Sequence, residues 1–452
     1  MKSSIIHSVS ALFIFEDRIF AVQRQSYLKA FPGYLAFPGG KIDLNESSEP
    51  FKTKYLCKHN PVYMRALNRE INEELGYDLE EGINNQDVLS INEFTEVLAP
   101  EFSKIRFRTR FYRIDLRKKI NFRPDSGEFA NSFWETPCSL LNTFIEGNSL
   151  MVPPTRWILE ELKQKPNTKI LCNLSAKYDK KDKIPCLEML EGIQLLPVRS
   201  TTLPPANSTN AFLLGDSEAK KLLIDPSPNS KKEFQKLINT IKDKKIDSIF
   251  LTHHHPDHHQ FSNVLARQMN IPILLSKDTQ QRLTKKFGTD YFDRIKLFNP
   301  VEKQEVTKWH GESVRIFEIP GHDVGHLGLA PDSMKWFLVG DLIQGVGTVV
   351  IPSPEGDMAS YLSTLKKVIS LNPEVIIPSH GIPSRSTYLL DFTLKHRLER
   401  ESQILKLFNS GNSKKTILKK LYVGIDPRLE KLAMQNIESH LSKLYKEKRL
   451  II

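Results

Sequence analysis

The chain has 452 residues, enough for roughly three folded units at about 150 residues each. Hydrophobic residues make up 40% and charged residues 26%, which excludes a disordered or fibrous protein. The 64 Lys and Arg against 53 Asp and Glu leave a net charge of +11, a balance that attracts anions without naming one. No apolar run approaches the roughly 18 residues that cross a bilayer, and the longest, such as Val346 to Pro352, are strand-sized. The opening Met1-Lys-Ser-Ser-Ile-Ile-His leads straight into a short alternating stretch, so no secretory signal is expected. Cys57, Cys138, Cys172 and Cys186 are scattered and form no C-x-x-C pair, which argues against a disulfide framework or a thiolate zinc site and fits a reducing cytoplasm.

From Ile5 to about Lys165, short β-type runs surround one acidic helical segment, Met64 to Leu75. Within Arg69-Glu-Ile-Asn-Glu-Glu-Leu-Gly-Tyr77, Glu70, Glu73 and Glu74 fall at i, i+3 and i+4, so a helix puts all three carboxylates on one face. Carboxylates gathered in this way repel one another unless cations neutralise them, and hard oxygen ligands suit Mg²⁺ or Mn²⁺. Upstream stand Phe37-Pro-Gly-Gly40 and Glu46. The pattern resembles the Nudix box, with 22 residues instead of seven between Glu46 and Arg69, an insertion able to displace Glu46. Insertions of that type are familiar in relatives of the coenzyme A diphosphatases, and Pro100-Glu-Phe-Ser with Arg106-Phe-Arg-Thr-Arg-Phe is similar to the same branch. The resemblance implies an α/β/α sandwich over residues 1–165 that hydrolyses nucleoside diphosphates linked to another group. It implies metal binding and catalysis by Glu70, Glu73 and Glu74, with Arg69 orienting a glutamate and either Glu101 or Glu128 as a loop base.

Residues 166–190 form a Lys-rich, poorly periodic passage that reads as a linker. Across residues 191–390, β-runs alternate with helical patterns, an α/β architecture. The runs include Ala211-Phe-Leu-Leu, Lys221-Leu-Leu-Ile, Ser248-Ile-Phe-Leu, Val314-Arg-Ile-Phe, Trp336-Phe-Leu-Val and Glu374-Val-Ile-Ile. Helices are expected near Lys231–Ile241 and Met358–Ser370.

Directly after one run comes Thr252-His-His-His-Pro-Asp-His-His259, an H-x-H-x-D-H motif made of His253, His255, Asp257 and His258. Nitrogen and carboxylate donors at this spacing suit zinc, iron or manganese. Further candidates stand at the ends of later runs: His322, Asp341 and His380. This set resembles the metallo-β-lactamase superfamily, and Asn207-Ser-Thr-Asn-Ala-Phe-Leu-Leu is similar to its opening strand. The resemblance implies an αββα sandwich with two Zn²⁺ (or Mn²⁺ or Fe²⁺) at one edge. One ion would sit on His253, His255 and His322, the other on Asp257, His258 and His380, with Asp341 bridging and Asp257 counted as catalytic. His254, His259 and His326 lie outside the pattern, with support or surface roles expected.

Residues 395–452 read as helical until the terminal Leu450-Ile-Ile, with Ser413 and Asp426-Pro427 as capping signals. From Arg397 onward there are 13 Lys and Arg against 6 Asp and Glu. Together with Gly340-Asp-Leu-Ile-Gln-Gly-Val-Gly and His396-Arg-Leu-Glu-Arg-Glu, this stretch resembles the β-lactamase-like endoribonucleases, in which a winged helix follows the catalytic domain. That implies cleavage of single-stranded RNA phosphodiesters, with basic helices meeting phosphate. Removing the chain after Pro383 would then weaken RNA binding while the metals stay held. The alternative is a thioesterase of the glyoxalase II type, which shares the ligand set. A third reading makes the N-terminal domain a nucleotide sensor. The expected partners are a nucleotide-type small-molecule substrate and single-stranded RNA, with no membrane, and oligomeric state is left open by the sequence.

Overall fold

The computed structural model describes residues 5–99, 106–174 and 181–450. The chain divides into two compact units, residues 1–181 with 187–191, and residues 182–186 with 192–452. Among the described residues no helix is long and apolar enough to cross a membrane.

In the first unit a mixed sheet runs in the order Val88–Leu98, Arg106–Leu116, Ile5–Phe15, Arg18–Arg24, Tyr34–Ala36, Leu150–Met151, and Phe129–Glu135 also pairs with Arg18–Arg24. Alternation along Ile5–Phe15 serves two cores. Val9, Ala11 and Phe13 meet Met64, Leu67 and Ile71 of the helix Pro61–Leu75. Leu12 and Ile14 face the opposite way, in one core with Leu140 and Phe144 of Pro137–Ile145 and Ile158 of Pro153–Gln164. Helices therefore cover both faces of the sheet, the three-layer arrangement expected. The helix Pro61–Leu75 starts where the Asn60 side chain accepts from the Val62 N–H, with Pro61 in the first turn. It stops at Gly76, whose φ of 62° favours glycine.

The expected linker is not loose. Arg113 Nη1 donates to the carbonyls of Pro166 (2.6 Å) and Thr168 (2.8 Å), and Leu174 is buried with the first unit. Ile184 is buried in the second unit, and Leu187–Leu190 is a strand of the first. A few apolar side chains among the lysines supply the anchoring that composition hides.

In the second unit one sheet contains Ile193–Val198, Thr209–Leu214, Leu222–Ile224, Ser248–Phe250, Ile273–Leu274 and Leu297–Phe298 in order, antiparallel at first and parallel after Leu222–Ile224. A second sheet runs Glu305–Trp309, Glu312–Glu318, Leu327–Pro331, Trp336–Gly340, Val375–Pro378, Ser384–Arg385. Thr209–Leu214 and Trp336–Gly340 are buried at every position, as strands covered on both faces must be. Lys231–Ile241, Ser262–Met269 and Lys277–Phe287 pack on the first sheet, and Met358–Leu371 and Tyr388–Asn409 pack on the second. The layers run helix, sheet, sheet, helix. Asn210 joins the two sheets, its amide donating to the Pro378 carbonyl at 3.1 Å and its backbone N–H to that of Ser379 at 2.8 Å.

The boundary expected between residues 390 and 395 falls inside the helix Tyr388–Asn409. That helix places Leu390 in the core of the second sheet and Ile404 in a separate small core with Ile417, Ile437 and Leu441. One element serving two cores cannot mark a break between domains, and residues 395–452 fold in one unit with 192–394. Helices Lys414–Leu421 and Glu430–Lys446 follow, Ser413 capping the former. Among the described residues no strand follows Arg385, so no wing is seen, and residues 451–452 lie outside the described residues.

Candidate metal centres

The seven donors of the second unit arrive from strand ends. The strand Ser248–Phe250 delivers Thr252 to His255, and His255 opens the one-turn helix Pro256–His259 that carries Asp257 and His258. His322 follows Gly321, whose φ of 136° and close approach to the Tyr361 backbone leave no space for a Cβ atom. Asp341 follows Gly340 at the end of Trp336–Gly340, and His380 follows Val375–Pro378.

Two ligand sets converge. His255 Nδ1 lies 2.9 Å from both His253 Nε2 and His322 Nε2. Asp257 Oδ2 lies 3.7 Å from His258 Nε2 and 3.4 Å from His380 Nε2. Asp341 stands between the sets, its carboxylate 3.8 Å from His322 Nε2, 3.6 Å from His258 Nε2 and 3.4 Å from His380 Nε2. His253, His258, His322, His380 and Asp341 are buried, and Asp257 and His255 are half-buried. Three of the buried donor atoms, His258 Nε2, His380 Nε2 and Asp341 Oδ1, have no hydrogen-bond partner. Buried polar atoms left in this way are costly unless something else satisfies them. Nitrogen and oxygen donors at these separations fit two divalent ions of the zinc or iron type.

The outward nitrogens fix each ring. His322 Nδ1 donates to the Val350 carbonyl at 2.7 Å and His380 Nδ1 to that of Ser208 at 3.0 Å, so each ring turns its Nε2 toward the cluster. His258 Nδ1 meets Asp225 Oδ2 at 2.8 Å. Asp225 also accepts from the Thr252 N–H (2.9 Å) and hydroxyl (2.7 Å), and it is fully buried. Neither Asp225 nor Thr252 was expected from the sequence. The available signal is an acidic residue ending the apolar run Leu222-Leu-Ile, the same pattern that marks Asp341.

The electrostatics divide the site. Burial, together with the neighbouring imidazoles, holds His253 well below its ordinary value and His322 down to about 4, so both are neutral donors. Burial opposes charge on His380, yet the Asp341 and Asp257 carboxylates overcome it and hold the ring up to about 10. Burial likewise opposes ionisation of Asp341, and His380 and His258 overcome it, holding the carboxyl well below the usual range. Two ionised carboxylates at one buried point demand compensating positive charge.

The three other histidines have partners elsewhere. His254 Nδ1 pairs with Asp323 Oδ2 at 2.5 Å, and His259 Nδ1 meets the Tyr291 hydroxyl at 2.7 Å. His326 Nε2 accepts from the Asp341 N–H at 3.3 Å, a supporting contact. The C-terminal helices touch this site as well. Arg397 Nη2 donates to the Val349 carbonyl, and the Asn436 side chain accepts from the Ile351 N–H at 3.0 Å. These bonds bracket Val350, the residue that orients His322. Residues after Pro383 therefore bond to the backbone on either side of the His322 partner.

In the first unit Arg69 organises the acidic helix. Its Nε donates to Glu46 Oε1 at 2.8 Å, its Nη1 to Glu70 Oε1 (2.9 Å) and Glu73 Oε2 (3.2 Å), and its Nη2 to the Lys41 carbonyl at 2.9 Å. The Gly39 N–H donates to Glu74 Oε2 at 2.7 Å, and a Cβ at Gly40 would strike the Glu70 carboxylate. Glu74 is buried, and burial holds its carboxyl up to about 8 against the pull of the Gly39 N–H. The expected triad differs in one respect. Among the described residues, no three donors that lie within 4.8 Å of one another include Glu70, Glu73 and Glu74. Arg69 draws Glu70 and Glu73 to itself while Gly39 keeps Glu74. The donor types suit Mg²⁺ or Mn²⁺, but these rotamers do not gather them. Glu128 approaches the same site, 3.8 Å from Arg24 Nη2, and Glu101 lies outside the described residues.

The family model for the metallo-beta-lactamase superfamily matches residues 204–380. The chain is similar to the Beta-lactamase-like protein 2 homolog of Drosophila melanogaster, 32% identical over 259 residues that cover 54% of this chain and 84% of that one. It is also similar to a Hydroxyacylglutathione hydrolase of Wigglesworthia glossinidia brevipalpis, 31% identical over 168 residues, 37% of this chain and 58% of that one. Among solved structures, a NUDIX hydrolase from Alicyclobacillus acidocaldarius aligns at 18% identity with a TM-score of 0.31, covering 37% of this chain and 95% of that one.

Proposed function

This chain belongs to the metallo-beta-lactamase superfamily of hydrolases, and we propose that its His/Asp centre cleaves RNA phosphodiesters. His253, His255 and His322 would hold one ion, Asp257, His258 and His380 the other, and Asp341 would lie between them. Two such ions lower the pKa of an attacking water and neutralise the charge that builds on the scissile group. The residues around them keep the donors aimed: Asp225 holds His258, Val350 holds His322, Ser208 holds His380, and His326 fixes the Asp341 backbone.

The observation that carries the RNA reading is the C-terminal helical segment. It bears 13 Lys and Arg against 6 Asp and Glu, and it is joined by Arg397 and Asn436 to the loop that seats His322. A net-positive segment within the unit that holds the donors suits a polyanionic chain. The test is hydrolysis of labelled single-stranded RNA by protein loaded with zinc or manganese. If wild type and Asp257→Ala behave alike, the reading fails.

A second reading, hydrolysis of a glutathione or coenzyme A thioester, is favoured by the similarity to a Hydroxyacylglutathione hydrolase. Thioester turnover abolished by His255→Ala, with RNA left intact, would replace the first reading. For the first unit, the reading is a Nudix pyrophosphohydrolase that uses Mg²⁺ or Mn²⁺ on Glu70, Glu73 and Glu74. The Arg69 network and the Gly39–Glu74 bond support it. Loss of nucleotide pyrophosphatase activity in Glu73→Gln tests it, and tight nucleotide binding without turnover would make the unit a sensor instead.

A further inference from the structure

Three rings stand one turn apart along the helix Tyr388–Asn409. Tyr388 and Phe392 have centroids 6.3 Å apart with planes 25° from parallel, and Phe392 and His396 are 6.4 Å apart with planes within 7°. Such a ladder is costly to leave in water, and Tyr388 is 43% and Phe392 55% exposed. It opens onto a cavity of about 190 Å³ lined by Gln344, Gly347, Thr348, Phe392, Thr393 and His396. One lining residue touches a candidate ligand: Gln344 Nε2 donates to Asp341 Oδ2 at 3.4 Å. Ile343, Val349 and Leu389 join the lining beside these polar side chains, and the aromatic ladder contributes Phe392 and His396. His396 is held below its ordinary value, first by burial and then by Arg400 and Arg397, so it presents a neutral ring.

We propose that Tyr388, Phe392 and His396 form a stacking subsite for a nucleobase of single-stranded RNA that flanks the scissile phosphate, a role that rests on the phosphodiesterase reading of the metal centre. Planar bases stack on aromatic faces with little regard to sequence. The amide and hydroxyls of Gln344, Thr348 and Thr393 suit the ribose-phosphate between that base and the ions.

The test compares two fluorescein-labelled strands of equal length, an ordinary oligoribonucleotide and an abasic ribose-phosphate chain. Binding to the full chain is read by anisotropy, and KM for cleavage is read on the ordinary strand. The double variant Tyr388→Ala/Phe392→Ala should bind the ordinary strand roughly tenfold or more weakly. Its KM should rise in step, while both proteins bind the abasic chain equally. Phe392→Trp should restore binding. Exposed positions tolerate these changes, and an unchanged melting temperature checks the fold. Equal affinity of wild type and double variant for the ordinary strand overturns the subsite while RNA cleavage stands. No RNA cleavage by wild type removes the reading beneath it. Coenzyme A thioester turnover that needs Phe392 while RNA binding does not, or a dimer that Phe392→Ala dissociates, also overturns the proposal.

Discussion

Arg69 Nε donates to Glu46 Oε1 at 2.8 Å although 22 residues intervene between them in the chain. The insertion leaves this link in place, and the Glu46 side chain is only 9% exposed. A double-mutant cycle of Glu46→Ala and Arg69→Ala should show a coupling of about 1 kcal/mol in urea unfolding of the first unit. Additive effects would show that the pair is incidental.

Asp225 supports His258 and Thr252 together, so Asp225→Ala takes an acceptor from three buried donor groups. Residues that orient ligands typically contribute about 10- to 100-fold in metal affinity. Competition with a graded chelator should show one of two ions released that much more readily in the variant. Full retention of both would remove Asp225 from the site.

Asn436→Ala frees the Ile351 N–H beside the residue that orients His322. The expected result is a metal content falling from two ions toward one on dialysis, with a stability loss of about 1–3 kcal/mol for the unsatisfied group. Elemental analysis after dialysis reads the first, and denaturant titration reads the second.

Glu401 is buried among His440 (3.2 Å), Lys443 (2.8 Å) and Arg449 (3.1 Å). Burial favours its neutral form, but the bonds from His440 and Lys443 overcome it and hold the carboxyl down to about 2. A depressed carboxylate stabilises the fold fully above its unfolded value of about 4.3, and that stability is lost as pH falls toward 2. Wild type should therefore weaken steadily over this window, and Glu401→Gln should flatten the slope there. At neutral pH the variant should lose about 3 kcal/mol, since three cationic or polar partners are left behind.

The metal donors were legible because each stands at a strand end after an apolar run, as with Val375–Pro378 before His380, and the H-x-H-x-D-H spacing is local. The helix cap at Ser413 was equally local. What escaped depends on contacts distant in sequence. Asp225 meets His258 across 33 positions, and Arg397 and Asn436 bond to Val349 and Ile351 across 48 and 85 positions. The Tyr388–Asn409 helix hid a shared core behind a continuous pattern, so a boundary was drawn through its middle. The glutamate triad was right in register, but rotamers answer to Arg69 and Gly39, which periodicity does not report.

Because Asn436 steadies the perch of His322, order of synthesis enters the chemistry. A polypeptide emerging from the ribosome displays all seven donors by His380, more than fifty residues before that brace exists. Early portions of a chain fold as they appear, yet the Ile351 N–H beside the His322 partner gains its acceptor only when the helix Glu430–Lys446 docks.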